Sequence, residues 1–247
     1  MKQLIGEIFK RNKALARFGL INFAVFFFLM ILSFFDGRTL LGANLWFKPM
    51  KFALSIGLFS WTMAWFLAYI GRAAQVKKIQ WTIILMMTIE QLIIIAQAAR
   101  AELSHFNISS LLNNILFNIM GIAIFVNTIV VFWTFLLIRK EKNLPKGYKM
   151  GILSGMLIFC IASLQGFVMA ANLGHTWGAA DGQEGIFFLN WAKGYIDLRI
   201  FHFLGLHALQ IIPLFAWYFA KDSSGPVLLF SIFFISLAST TLLIVFL

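Results

Sequence analysis

Stretches of about 20 apolar residues recur seven times along this 247-residue chain, and that recurrence leaves few folds open to it. A helix rises 1.5 Å per residue, so one such stretch crosses the ~30 Å hydrocarbon core of a bilayer. Lipid offers the backbone no hydrogen bonds, so only helices and closed barrels cross it. A barrel would show alternating segments of about 10 residues, and none occur. The chain is therefore expected to be an all-α membrane protein, a seven-transmembrane-helix bundle forming one transmembrane domain over residues 1–247. The expected spans are 14–35, 50–70, 81–99, 111–138, 150–172, 199–219 and 227–247. Every loop between them is too short to fold independently.

Charge gives the orientation. Only 12% of residues are charged, about half the share in a soluble domain. The net charge of +11 is local in origin. Lys and Arg cluster ahead of span 1 and in the loops after spans 2, 4 and 6, while the other loops mix fewer of them with acids. The positive-inside rule then puts the N-terminus in the cytoplasm and the C-terminus outside. No long basic tract with interleaved aromatics is present, so membrane lipids are expected partners and nucleic acid is not. No small-residue cleavage site follows the first apolar run, which reads as a retained helix. Cys160, the single cysteine, excludes an internal disulfide and reads as a small buried hydrophobe.

Polar side chains inside spans point to a site, because lipid-facing ionisable groups are costly. Span 3 carries Glu90 and, seven residues on, Gln97 on the same face. Span 4 carries Asn113, Asn114 and Asn118, with Asn114 and Asn118 stacked one turn apart. Span 5 carries Gln165 and Asn172, again seven apart. Span 6 opens with DLRIFHFLGLHALQ, from Asp197 to Gln210, and places His202, His207 and Gln210 beside Gly205 and Pro213. From the helical rise, Glu90, Asn118, Gln165 and His207 lie at similar depth, ~10–15 Å below the outer boundary. An outward-opening pocket of Gln97, Asn114, Asn118, Gln165, Asn172 and Gln210 is the expected arrangement. Above it a vestibule would hold Asp36, Arg100, Glu102, His105, His175, Asp181, Asp197 and Arg199. The alternative reading of the Asn and Gln set is interhelical hydrogen bonding. His202 and His207, five apart and so ~140° around the helix, face one cleft only if span 6 is central or distorted.

Three functions follow as expectations. The favoured one is a membrane-embedded enzyme on a lipid or hydrophobic substrate, with Glu90, His202 and His207 as catalytic residues that pass protons or hold a divalent metal. The second is a proton-coupled small-molecule transporter or a ligand-binding receptor, with Glu90 as the coupling carboxylate. The third, a haem or quinone redox protein, suffers from having both in-span histidines on one helix. No dinucleotide, phosphate-loop, CxxC or HExxH motif is present, and span 7 has no lysine for a retinal Schiff base. Asn107-Ile108-Ser109 has the N-glycosylation pattern. Trp46 and Phe47 suit an interfacial position.

The segments NLWFKPMKFALS (Asn44 to Ser55), RAELSHFN (Arg100 to Asn107) and DLRIFHFLGLHALQ together resemble a family of uncharacterised multispan bacterial membrane proteins. The resemblance implies a bacterial cytoplasmic membrane and carries no activity. The scattered histidines are also similar to those of zinc-dependent membrane hydrolases of the alkaline ceramidase and adiponectin receptor type. Those use HxxxH in the last helix, whereas here the pair is HxxxxH in span 6.

Overall fold

A computed structural model describes residues 2–240. Eight helices form among them: α1 (Lys2–Arg11), α2 (Lys13–Phe35), α3 (Phe47–Leu67), α4 (Ala73–Ala99), α5 (Leu111–Lys140), α6 (Lys146–Asn172), α7 (Leu198–Phe219) and α8 (Ser224–Thr240). Six of them, α2 to α7, are long and apolar enough to cross a membrane, and α8 is a shorter apolar helix. Residues 241–247, where the expected seventh span ends, fall outside the described residues. The chain is thus a polytopic, membrane-type helical protein.

Contacts divide it into two compact units. The first comprises Met1–Asn127 with Gly182–Asn190, and the second Thr128–Asp181 with Trp191–Leu247. In the first unit, α1 and α2 are separate helices. Asn12 breaks the chain with an extended backbone and then caps α2, its side chain accepting from the Leu15 amide. An asparagine oxygen here satisfies one of the donors that every helix start leaves open. The same side chain donates to Gln80 Oε1 of α4 at 2.9 Å, which fixes the corner. Helix α2 crosses α3 closely: a Cβ on Gly19 would fall 2.3 Å from the Trp61 ring.

A two-residue hairpin, Thr39–Leu40 with Ala43–Asn44, links α2 to α3. Leu41 and Gly42 both have positive φ, the conformation a tight type I′ turn requires. Trp46 is buried: its indole Nε1 donates to Asp36 at 2.9 Å, which gives the polar edge of the ring a partner inside the protein. Hydrogen bonds from Arg38, with Trp46 adding to them, hold the Asp36 carboxyl below the usual carboxylate range despite the opposing effect of burial. Phe47 meets Phe187 and Phe188 edge-on.

The second unit is built on α6 against α7. Gly147, Gly151 and Gly155 lie four apart and so on one face. A Cβ on Gly151 would come 2.6 Å from Ala216 Cβ, and one on Gly155 2.8 Å from the Ala208 carbonyl oxygen. Small residues at this spacing let two helix backbones approach, the main source of helix association where lipid removes the hydrophobic drive. Gly205 repeats the device from α7, facing Ala162. A short hairpin, Thr176–Trp177 with Ile196–Asp197, closes the loop between α6 and α7.

Candidate functional site

Among the described residues, two acids have fully buried side chains, and their surroundings are opposite. Asp197 is 0% exposed and caps α7. Its oxygens accept from the Ala192 amide at 2.7 Å, the Arg199 amide at 3.0 Å and the Arg199 guanidinium at 2.8 Å. Asp197 and Arg199 therefore pair with one another and hold the start of the helix. Glu90, 1% exposed on α4, has no hydrogen-bond donor on either carboxylate oxygen.

What faces Glu90 is an imidazole. Nε2 of His105 lies 3.4 Å from Glu90 Oε1, within ion-pair distance but outside hydrogen-bond geometry. Nδ1 of His105 lies 3.1 Å from Ser104 Oγ. A serine hydroxyl donating to Nδ1 leaves the ring proton on Nε2, the nitrogen nearer the carboxylate. Phe52 of α3 packs on the ring, centroids 5.7 Å apart. Lys48, in the first turn of α3, is near enough for its charge to act on Glu90. Ser104, His105 and Glu90 thus form a line from a loop hydroxyl to a carboxylate within the span.

The loop that carries His105 is stapled to the ends of α4 and α5. Arg100 donates to Gln97 Oε1 at 2.7 Å, and Gln97 Nε2 donates to Asn113 Oδ1 at 3.0 Å and to the Leu103 carbonyl at 3.1 Å. Asn107 and Asn113 both donate to Glu102 Oε2. Asn107 is buried by these bonds, so its carboxamide is spent inside the loop and not offered as a glycosylation acceptor. Such a satisfied polar network rigidifies what it holds, here the imidazole over Glu90. Of the expected site residues, Glu90, Gln97, Arg100, Glu102 and His105 come together in this way. Asn114 and Asn118 lie on the exposed side of α5, Asn118 donating to Asn114 Oδ1 at 2.8 Å.

Apart from Asp36, which belongs to the first unit, the other expected residues belong to the second. His202 Nδ1 donates to the Ala162 carbonyl at 2.7 Å, turning the ring toward α6. His207 faces Phe203, centroids 4.4 Å apart, and bonds to Gln210. The two rings point to different neighbours, as five-residue spacing dictates. Gln165 Nε2 lies 3.4 Å from the Leu198 carbonyl oxygen. His175 and Asp181 pair through the ring Nδ1, and Asp181 also accepts from the His175 and Thr176 amides. Burial alone would raise the Asp181 carboxyl, but these bonds and the His175 charge outweigh it and hold it well below the usual range. An open depression of about 400 Å³ lies beside this pair, lined by Asn172, Thr176, Trp177 and Asp181 among others. Among the described residues, no three His, Cys, Asp or Glu side chains gather in a metal-holding group.

Ser104 is the residue that sequence reasoning missed. Its signal was its place beside His105 in a polar loop next to a span that carries an acid. The fold and this site together define a polytopic α-helical membrane protein with a buried carboxylate–imidazole pair. No protein-family model matches the chain, and no curated protein or solved structure matches it significantly.

Proposed function

We propose that this chain is a proton-coupled membrane protein in which Glu90, His105 and Ser104 relay a proton between the outer surface and the membrane interior, in step with binding or movement of a small hydrophobic molecule. In this reading the chain makes seven spans, with the N-terminus cytoplasmic and the C-terminus outside, in a bacterial cytoplasmic membrane. The observation that carries it is the buried Glu90 carboxylate with an imidazole at 3.4 Å and no hydrogen-bond donor. A carboxylate so placed either takes up a proton or shares the charge of a neighbour. A histidine is the side chain suited to pass that proton near neutral pH, and Ser104 extends the line outward.

The test is proton entry into vesicles. Purified protein is reconstituted with an entrapped pH-sensitive dye, and the outside is acidified. Wild type should acidify the lumen faster than empty vesicles, and Glu90→Gln should remove the difference. Equal rates in wild type, variant and empty vesicles would sink the relay.

A second reading rests on the same atoms. Serine, histidine and acid in a line are the parts of an acyl-transfer nucleophile, which would make the protein a membrane-embedded hydrolase. A fluorophosphonate probe that labels wild type and not Ser104→Ala favours this reading; an unlabelled wild type removes it.

A further inference from the structure

Helix α2 shows one continuous exposed face along its length, from Lys13 and Arg17 through Leu20, Ile21, Ala24, Phe27, Phe28 and Ile31 to Phe34 and Phe35. The opposite face is packed, with Leu15, Ala16, Gly19, Asn22 and Leu29 buried. The exposed face changes character after Arg17. Two cations one turn apart are followed by about 22 Å of apolar surface from Leu20 to Phe35, more than the ~15 Å that an acyl chain needs to cross one hydrocarbon leaflet. Arg17 starts the apolar part, ~6 Å along the helix from Lys13. A guanidinium on a lipid-facing surface has to reach back to the interface, and the anion available at that level is a lipid phosphate.

The acid at this corner, Glu7, is engaged within the protein. Arg11, next to this corner, is committed internally: it pairs with Glu7 at 3.0 Å and stacks over the Trp65 ring at 3.8 Å. Among the described residues, Lys10, Lys13 and Arg17 make no side-chain hydrogen bond or ion pair. The corner that presents them is rigid. Asn12 caps α2 and bonds Gln80, and Trp61 Nε1 donates to the Ala16 carbonyl at 3.0 Å.

We propose that this corner is a binding site for an anionic phospholipid, with its phosphate on Arg17 and Lys13, Lys10 beside them, and an acyl chain along Leu20, Ala24, Phe27 and Ile31. Arg17 grips the phosphate through two parallel N–H groups, and Lys13 adds a point charge. The uncompensated positive charge sets the preference for an anionic over a zwitterionic headgroup. The inference rests on α2 lying in a membrane and is independent of the proton relay.

The test uses the full chain in bilayers of phosphatidylglycerol and phosphatidylcholine with identical acyl chains, extracted into mild detergent. Retained lipid is counted by native mass spectrometry. Wild type should keep phosphatidylglycerol over phosphatidylcholine. K13Q/R17Q should lose that preference by roughly fivefold per cation removed, and R17K should keep more of it than R17Q. K77Q/K78Q, in the first two turns of α4, and E90Q should retain lipid as wild type does. If K13Q/R17Q does not fold, R17Q alone carries the comparison, with an expected loss of about fivefold. Equal retention of both lipids by wild type, undiminished retention in the α2 variants, or an equal loss in K77Q/K78Q would each overturn the site.

Discussion

His105→Gln keeps a polar side chain of similar reach but removes the group that faces Glu90. An ionised pair at the observed 3.4 Å would attract by about 5 kcal/mol at an effective dielectric of ~20, which is an upper bound because the histidine carries charge only when protonated. Desolvation of both groups takes back most of that, so the net coupling should be on the order of 1–3 kcal/mol. The coupling is isolated by a double-mutant cycle: wild type, Glu90→Gln, His105→Gln and the double variant, unfolded reversibly in mixed micelles. His105→Gln should cost clearly more in the wild-type background than in the Glu90→Gln background, where the carboxylate is already replaced by a neutral amide. Costs that add to within ~0.5 kcal/mol at neutral pH would refute the pair and leave Glu90 and His105 as neighbours only.

Other expectations bear on the fold around the site. Asp181→Asn should speed hydrogen exchange of the His175 and Thr176 amides, because both donate to that carboxylate. In wild type the Asp181 carboxyl is held below its ordinary range. Its contribution is therefore present above the unfolded value of ~3.9 and lost only as pH falls from there through the folded value; loosening already at neutral pH would contradict this. Gly155→Val should destabilise by about 1–3 kcal/mol or more through overpacking against α7, whereas Gly6→Ala, with open space around it, should stabilise α1 by up to ~1 kcal/mol; thermal melts of both check the contrast. Asp197→Asn should cost about 1–3 kcal/mol by weakening the charge-assisted bonds that cap α7, read as lost helicity at lower denaturant.

Much of the helical layout was legible, for physical reasons. Apolar length fixed where chain meets lipid, so α2, α5, α6 and α7 begin and end within a few residues of the expected spans. Helix α4 starts at Ala73, eight residues before the expected Trp81, because hydropathy marks the lipid boundary and not the end of the hydrogen-bonded backbone. The basic N-terminus hid a second helix: α1 is amphipathic, and only the capping Asn12 separates it from α2. The Gly147, Gly151, Gly155 ladder was equally present in the sequence and is readable once four-residue spacing is sought among small residues rather than polar ones. The candidate site was half legible. An acid in mid-span announced Glu90, but its partner came from a loop, and which of four histidines would fold back onto it depends on the Gln97, Asn113 and Glu102 bonds that no spacing rule describes. Asn114 and Asn118 matched the helical period of a pocket face, yet their exposure depends on how α5 is rotated about its axis.

The two buried acids differ in what a neutral isostere would do. Asp197 holds the Ala192 and Arg199 amides and the Arg199 guanidinium, and each of those bonds needs a strong acceptor. Its charge is explained by structure alone. Glu90 organises nothing by hydrogen bonding, since neither oxygen has a donor. A glutamine there would fill the same volume without burying a charge, and replacing buried charges with neutral groups is often neutral or stabilising. Glu90→Gln should therefore match or exceed wild type in thermal stability while abolishing proton entry. A side chain that costs stability where a neutral one would serve is accounted for by work that needs the charge. A large loss of stability in Glu90→Gln would reverse the argument and return the carboxylate to the fold.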